Sequence, residues 1–166
     1  MAGSIAIVTG STGAGKTSYA IDLASRLGGV RFSIDEWMTT LFWMDSPHPI
    51  AFDWTMARIG RCEAQILEQV TALSAVGVPT VLDLGFTRAD HRARFAAAAT
   101  AIGASVSLHW IDIAVAERWR RVQTRNDEQG ETFSMTVDRA MFDFMEGQWQ
   151  PPSEEEISTL NGQIIR

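Results

Sequence analysis

Cysteine is nearly absent. Cys62 is the only one in 166 residues, which excludes an internal disulfide and a zinc site built on cysteines. It falls in a helical pattern, where it reads as a small buried hydrophobe. No apolar run approaches the roughly 18 residues of a membrane span, and no charged, apolar leader precedes Ile5. The expectation is a cytoplasmic protein without membrane contact. Positive charge is also scarce: the formal net charge is −6, which disfavours a broad nucleic-acid surface while leaving room for a local basic groove. Metal-ligand spacing is missing too. His48 lies between two prolines and reads as loop surface, and His91 and His109 have no partners at useful intervals. No repeat, low-complexity tract or linker divides the chain, and its length fits one domain spanning 1–166.

Against that background one segment stands out. Residues 5–17 read IAIVTGSTGAGKT, an apolar strand-like run followed by Gly10, Ser11, Thr12, Gly13, Ala14, Gly15, Lys16 and Thr17. The last eight match G-x-x-x-x-G-K-[ST] at every position. The glycines let the backbone turn tightly and aim successive N–H groups into a concave nest suited to a polyanion. A helix starting near Lys16 adds the positive end of its dipole. Lys16 can reach β- and γ-phosphates, and the Thr17 hydroxyl can ligate Mg²⁺.

Downstream, apolar residues at i, i+3, i+4 and i+7 predict a helix over 16–27 ended by Gly28 and Gly29. Strands are expected at 30–34, 78–84, 105–111 and 163–165. Further helices are expected at 35–43, 53–76, 88–102, 115–125 and 136–145, with the loop-like composition of 126–133 marking a mobile segment. This alternation predicts an α/β fold, a three-layer P-loop NTPase sandwich with a mainly parallel five-stranded sheet and a helical lid at about 118–135. In such sheets ligands bind beyond the carboxyl ends of the strands. Three features meet there: the Gly10–Thr17 loop, Asp35 after the second strand and Asp83 at the end of the third.

Asp35 can orient an acceptor hydroxyl and take its proton as phosphoryl transfer proceeds, or it can serve as the N-cap of the following helix. Glu36 beside it reads as solvated. Asp83 can hold Mg²⁺ or its water shell, or brace a neighbouring loop. Arg88 can reach the acceptor or stand as a solvated helix-start residue. Arg118, Arg121 and Arg125 share one helical face. That stripe either stabilises charge developing on a transferred phosphate or forms a solvated basic face balanced by Glu117, Asp127 and Glu128. Arg121 and Arg125 are the preferred pair. The aromatic and Met-rich stretch 37–54, with Trp37, Met38 and Trp54, supplies either an apolar acceptor pocket or a local core.

These residues together resemble small P-loop kinases of the zeta-toxin, chloramphenicol phosphotransferase and polynucleotide kinase type, a group placed among AAA-family ATP-binding proteins. The resemblance runs through GSTGAGKT at 10–17, SIDEW at 33–37, VLDLGF at 81–86 and the R-x-x-x-R of Arg121 to Arg125. It implies that Asp35 activates the acceptor hydroxyl, that Arg121 and Arg125 contact ATP phosphates, and that Lys16 and Thr17 hold phosphate and Mg²⁺. The expected activity is ATP-dependent phosphorylation of a small-molecule hydroxyl, on an antibiotic, sugar or nucleoside. A 5′-hydroxyl polynucleotide kinase and a non-catalytic ATP-binding switch are the rivals, nucleic acid being disfavoured by charge. The shared motifs define the donor side, while variable helices and loops read the acceptor.

Overall fold

The computed structural model describes residues 2–130 and 136–166. Its elements run β1 (Ile5–Thr9), α1 (Lys16–Leu27), β2 (Val30–Ser33), α2 (Ile34–Phe42), α3 (Phe52–Ala75), β3 (Thr80–Asp83), α4 (Ala89–Ala101), β4 (Val106–Ile111), α5 (Val115–Glu128), α6 (Arg139–Gln148), α7 (Glu154–Thr159) and β5 (Gln163–Ile165). The strands form one sheet in the order β2-β3-β1-β4-β5, parallel at every pairing. No helix among the described residues is long and apolar enough to cross a membrane.

The period-two alternation of β1 explains the layering. Ile5 and Ile7 belong to a core that includes Cys62, Ile66 and Val70 of α3 and Phe95 and Ala99 of α4. Ala6 and Val8 belong to a second core, with Ala20, Leu23 and Ala24 of α1. Because β1 is the central strand and is buried along its whole length, the loop that leaves it is delivered to the middle of the sheet's carboxyl edge. A third, smaller core of Val122, Val137 and Phe142, flanked by Trp119, joins α5 to α6. The expected lid residues 131–135 lie outside the described residues.

Three local features depart from expectation. The second strand stops at Ser33, whose hydroxyl caps α2 by accepting the Glu36 N–H at 3.3 Å. Asp35 is therefore inside the first helical turn and does not cap it. The helix after the lid starts at Arg139, set by Asp138, whose carboxylate accepts the Met141 N–H at 2.8 Å. The short helix α7 has no counterpart among the expected elements. Its cap is Ser153, which accepts the Glu156 N–H at 3.1 Å.

α7 matters because it carries the partner of a fully buried cation. Arg92 on α4 is 0% exposed. Its Nε and Nη2 donate to the Glu156 carboxylate, and its Nη1 donates to the carbonyls of Phe86 at 3.0 Å and Gln150 at 2.9 Å. Removing one partner of a buried pair leaves the other charge uncompensated. Glu156→Ala should therefore cost about 3 kcal/mol in urea unfolding, whereas Arg120→Ala, on an exposed pair with Glu117, should change stability by less than about 0.5 kcal/mol.

Candidate active site

The loop between β1 and α1 is held in shape by left-handed glycines and by a helix lying on it. Gly13 and Gly15 have φ of 79° and 92°, a region that side chains disfavour. A Cβ on Gly13 would come within 2.5 Å of the Arg118 carbonyl, so the backbone of α5 sits directly over the loop. Arg118 completes this clamp. Its buried guanidinium donates to the Ile113 carbonyl at 2.8 Å, to the Thr12 carbonyl at 3.2 Å and to both Glu146 oxygens at 2.8 Å. Glu146, on α6, also accepts the Ser11 hydroxyl at 2.7 Å.

Below the clamp is a cavity of about 400 Å³ whose wall includes Thr12, Gly13, Gly15, Lys16, Thr17, Asp35, Asp83, Arg121 and Arg125. Gly10, Ser11 and Ala14 of the same loop are buried and do not line the cavity. The Lys16 ammonium donates to the Ser11 carbonyl at 3.1 Å. Burial lowers its proton affinity, and the charges of Asp83 and Asp35 oppose that effect. Asp83 ends β3 and receives Arg31 Nη1 at 3.0 Å. Burial pushes its carboxyl up from the usual range, while Lys16, Arg31 and the Thr17 hydroxyl pull it back incompletely. Arg31 also pairs with Glu36.

The arginine stripe divides into separate jobs. Arg118 faces inward and is consumed by Glu146. Arg121 donates to Glu117 at 2.8 Å and to the Ala14 carbonyl at 3.2 Å, and hydrogen bonds from Arg120 and Arg121 pull Glu117 down to about 2. Arg125 is half-buried, and its Nε has no hydrogen-bond partner among the described residues. Burial lowers its proton affinity while Asp35 opposes. An unpaired donor beside a glycine nest is an unmet demand for an anion.

A family model described as AAA domain matches residues 5–152. The chain belongs to the AAA domain family. No curated protein matches it significantly. Solved structures similar to this AAA-domain chain include Kti12 of Chaetomium thermophilum in complex with ADP-AlF3, at 13% identity and TM-score 0.72 over 97% of this chain and 88% of that one. A gluconokinase from Sinorhizobium meliloti 1021 aligns at 16% identity and TM-score 0.66, over 98% and 81%. A chain of the Pnkp1/Rnl/Hen1 RNA repair complex aligns at 19% identity and TM-score 0.68, over 89% of this chain but 44% of that one. This chain therefore spans less than half of that relative. At these identities the likeness establishes a kinase-like P-loop fold.

Other residues expected at the site do not line the phosphate-loop cavity of this AAA-domain protein. Trp37, Met38 and Phe42 pack against the main core. Trp54 lies under the Arg58 guanidinium at 3.9 Å. Arg88 is exposed, pairs with Asp90 at 3.1 Å and lines a neighbouring cavity. Residues not anticipated are Val137, Met141 and Met145, which close the apolar side of the phosphate-loop cavity, together with Arg31 and Glu146 behind it. No sequence signal marks Glu146, which lies 135 positions from Ser11. Among the described residues no three His, Cys, Asp or Glu side chains gather into a metal cage. Thr17 and Asp83, both in the cavity wall and with the carboxylate incompletely compensated, still suit Mg²⁺, which takes one or two protein oxygens and completes its shell with phosphates and water.

The Glu146 clamp has a pH signature. Arg118 holds its carboxyl below the usual 4.5, against burial and with help from Ser11. A depressed folded-state value contributes stability above the unfolded value and loses it as pH falls through the folded one. The urea midpoint of the wild type should therefore drop more steeply below about pH 4.5 than that of Glu146→Gln, with a constant gap between them at neutral pH.

Proposed function

We propose that this chain transfers the γ-phosphate of ATP to a hydroxyl group of a small-molecule acceptor such as an antibiotic, sugar or nucleoside, acting in the cytoplasm. The observation that carries the reading is the meeting of three groups in one cavity: the Lys16 ammonium, the Arg125 Nε, which has no partner among the described residues, and the Asp35 carboxylate, which Ser33 frees from capping. A cationic wall with a glycine nest suits a polyphosphate. A solvent-accessible carboxylate in the same wall suits a hydroxyl. Membership of the AAA domain family and the kinase-like fold support the same assignment.

In this mechanism the N–H groups of Gly13 to Lys16 and the Lys16 ammonium cradle the β- and γ-phosphates. Arg121 and Arg125 stabilise negative charge on the transferring group. Asp35 orients the acceptor hydroxyl and takes its proton as the new O–P bond forms and the bond to the β-phosphate oxygen breaks, releasing ADP. Thr17 and Asp83 would hold Mg²⁺, which would supply neutralisation of phosphate charge. Arg118 does not enter the chemistry; it fixes the loop to α5 and α6.

Asp35→Asn should leave ATP affinity unchanged and lower kcat about 10²- to 10⁴-fold, the range of general-base losses, read by ADP release and by mass detection of phosphorylated product. Unaltered turnover would remove Asp35 from its role. Tight nucleotide binding with no acceptor phosphorylated across a broad panel would favour a binding module instead.

A further inference from the structure

A second cavity of about 740 Å³ adjoins the first, between α3 and the loop that joins β3 to α4. The two share one lining residue, Gly85, and Ile34 lines the second while Asp35, the next residue, lines the first. Gly85 has φ 85°, and a Cβ built on it meets nothing within 4 Å, so no side chain from this position stands between the cavities.

We propose that this second cavity receives the acceptor, and that the acceptor is an uncharged amphipathic alcohol with an aryl or alicyclic body and a hydroxyl directed at Asp35. The proposal rests on the phosphotransferase reading and narrows it. Ile34, Met56, Ile59, Leu84 and Phe86 supply apolar walls. A polyol pressed against them would lose hydrogen bonds to water without replacement, whereas an apolar ring gains from leaving water. The volume lies within the range of small-molecule sites.

The charges lining this cavity balance in sign, the carboxylates of Glu63 and Asp90 standing against the guanidiniums of Arg88 and Arg94. Glu63 is buried and pairs with Arg94, its other oxygen lying 2.7 Å from His91 Nε2, a nitrogen with no hydrogen-bond partner among the described residues, and Arg88 pairs with Asp90 at 3.1 Å. A phosphate-bearing acceptor would bring its charge against the carboxylates of Glu63 and Asp90 and compete with them for Arg88 and Arg94, whereas neutral dipoles such as amides or single hydroxyls meet no such repulsion. Gly60 adds an independent sign. It stands inside the 24-residue helix α3, where glycine weakens the helix. Its position lines the cavity, and a Cβ there would meet nothing within 4 Å. The missing side chain leaves ligand volume that an ordinary helix former would fill.

Gly60→Leu tests this directly, because leucine favours the helix and the fold should be kept or stabilised, as checked by circular dichroism and thermal unfolding. The probes are 3-phenyl-1-propanol, cyclohexanemethanol, D-glucose and a 5′-hydroxyl DNA dodecamer, with binding measured calorimetrically in the presence of ADP and transfer measured by ADP release from ATP. The two amphipathic alcohols should bind and be phosphorylated in preference to glucose and DNA. Gly60→Leu should raise their KM about tenfold or more with the KM for ATP unchanged. Binding of neither alcohol, preference for glucose or DNA, or indifference of KM to Gly60→Leu overturns the acceptor assignment even if transfer occurs. Binding that Gly60→Leu abolishes, with no ADP released by the wild type, overturns the phosphotransferase reading and leaves the ligand class of the cavity standing.

Discussion

Lys16 is the only lysine in the chain, and the electrostatics of the site turn on its position between two carboxylates. Burial disfavours its charge while Asp83 and Asp35 favour it. Burial of Asp83 acts in the opposite sense on that carboxyl. Neither group reaches its ordinary state through the described protein partners, and Arg125 in the same cavity wall keeps a buried Nε with no partner among the described residues. A triphosphate with its cation would meet all three demands together, which is why the arrangement reads as a receptor for phosphate and not as a core ion-pair network.

The rest of the fold keeps that cavity open. Two buried arginines do structural work from outside it. Arg118 ties the phosphate loop to α5 and α6 through Glu146, and Arg92 ties α4 to α7 while donating to the Phe86 carbonyl. Phe86 itself has φ 45°, and its carbonyl also accepts the Thr9 hydroxyl at 2.9 Å. The loop that borders both cavities is thus held from the end of β1 and from α4 at a single carbonyl oxygen. The two arginines need no ligand because their charges are matched by Glu146 and Glu156.

Much of this was legible in the chain and some was not, for definite physical reasons. Local signals carried the phosphate loop, the five strands and most helices, since turn chemistry and apolar periodicity act over a few residues. Asp35 and Asp83 could be placed near the loop because parallel topology collects strand ends; in the structure Ser33 pairs with Asp83 in register. The Ser33 and Ser153 caps were written in the sequence as S-x-x-E at 33–36 and 153–156, a pattern that marks helix starts. Taken as a helix start, it places α7 and assigns the α2 cap to Ser33 in preference to Asp35. Arg118 could not be separated from Arg121 and Arg125 by helical phase, because its partner Glu146 is 28 positions away. Of the two readings of the aromatic stretch, Trp37 and Met38 fit the local core, packing partly buried against it, while the apolar walls of the second cavity come from scattered positions that only folding assembles.

The central claim is that the cavity around Lys16 is a nucleotide donor site facing a carboxylate-bearing acceptor side. Amine-reactive labelling followed by peptide mapping tests its core with unusual economy, since Lys16 is the only side-chain amine available. Labelling of Lys16 against pH should titrate below the usual 10.5 in the free protein, and Mg-ATP should protect it while leaving the terminal amine reactive. A Lys16 that titrates normally and is labelled equally fast with and without Mg-ATP would contradict the account.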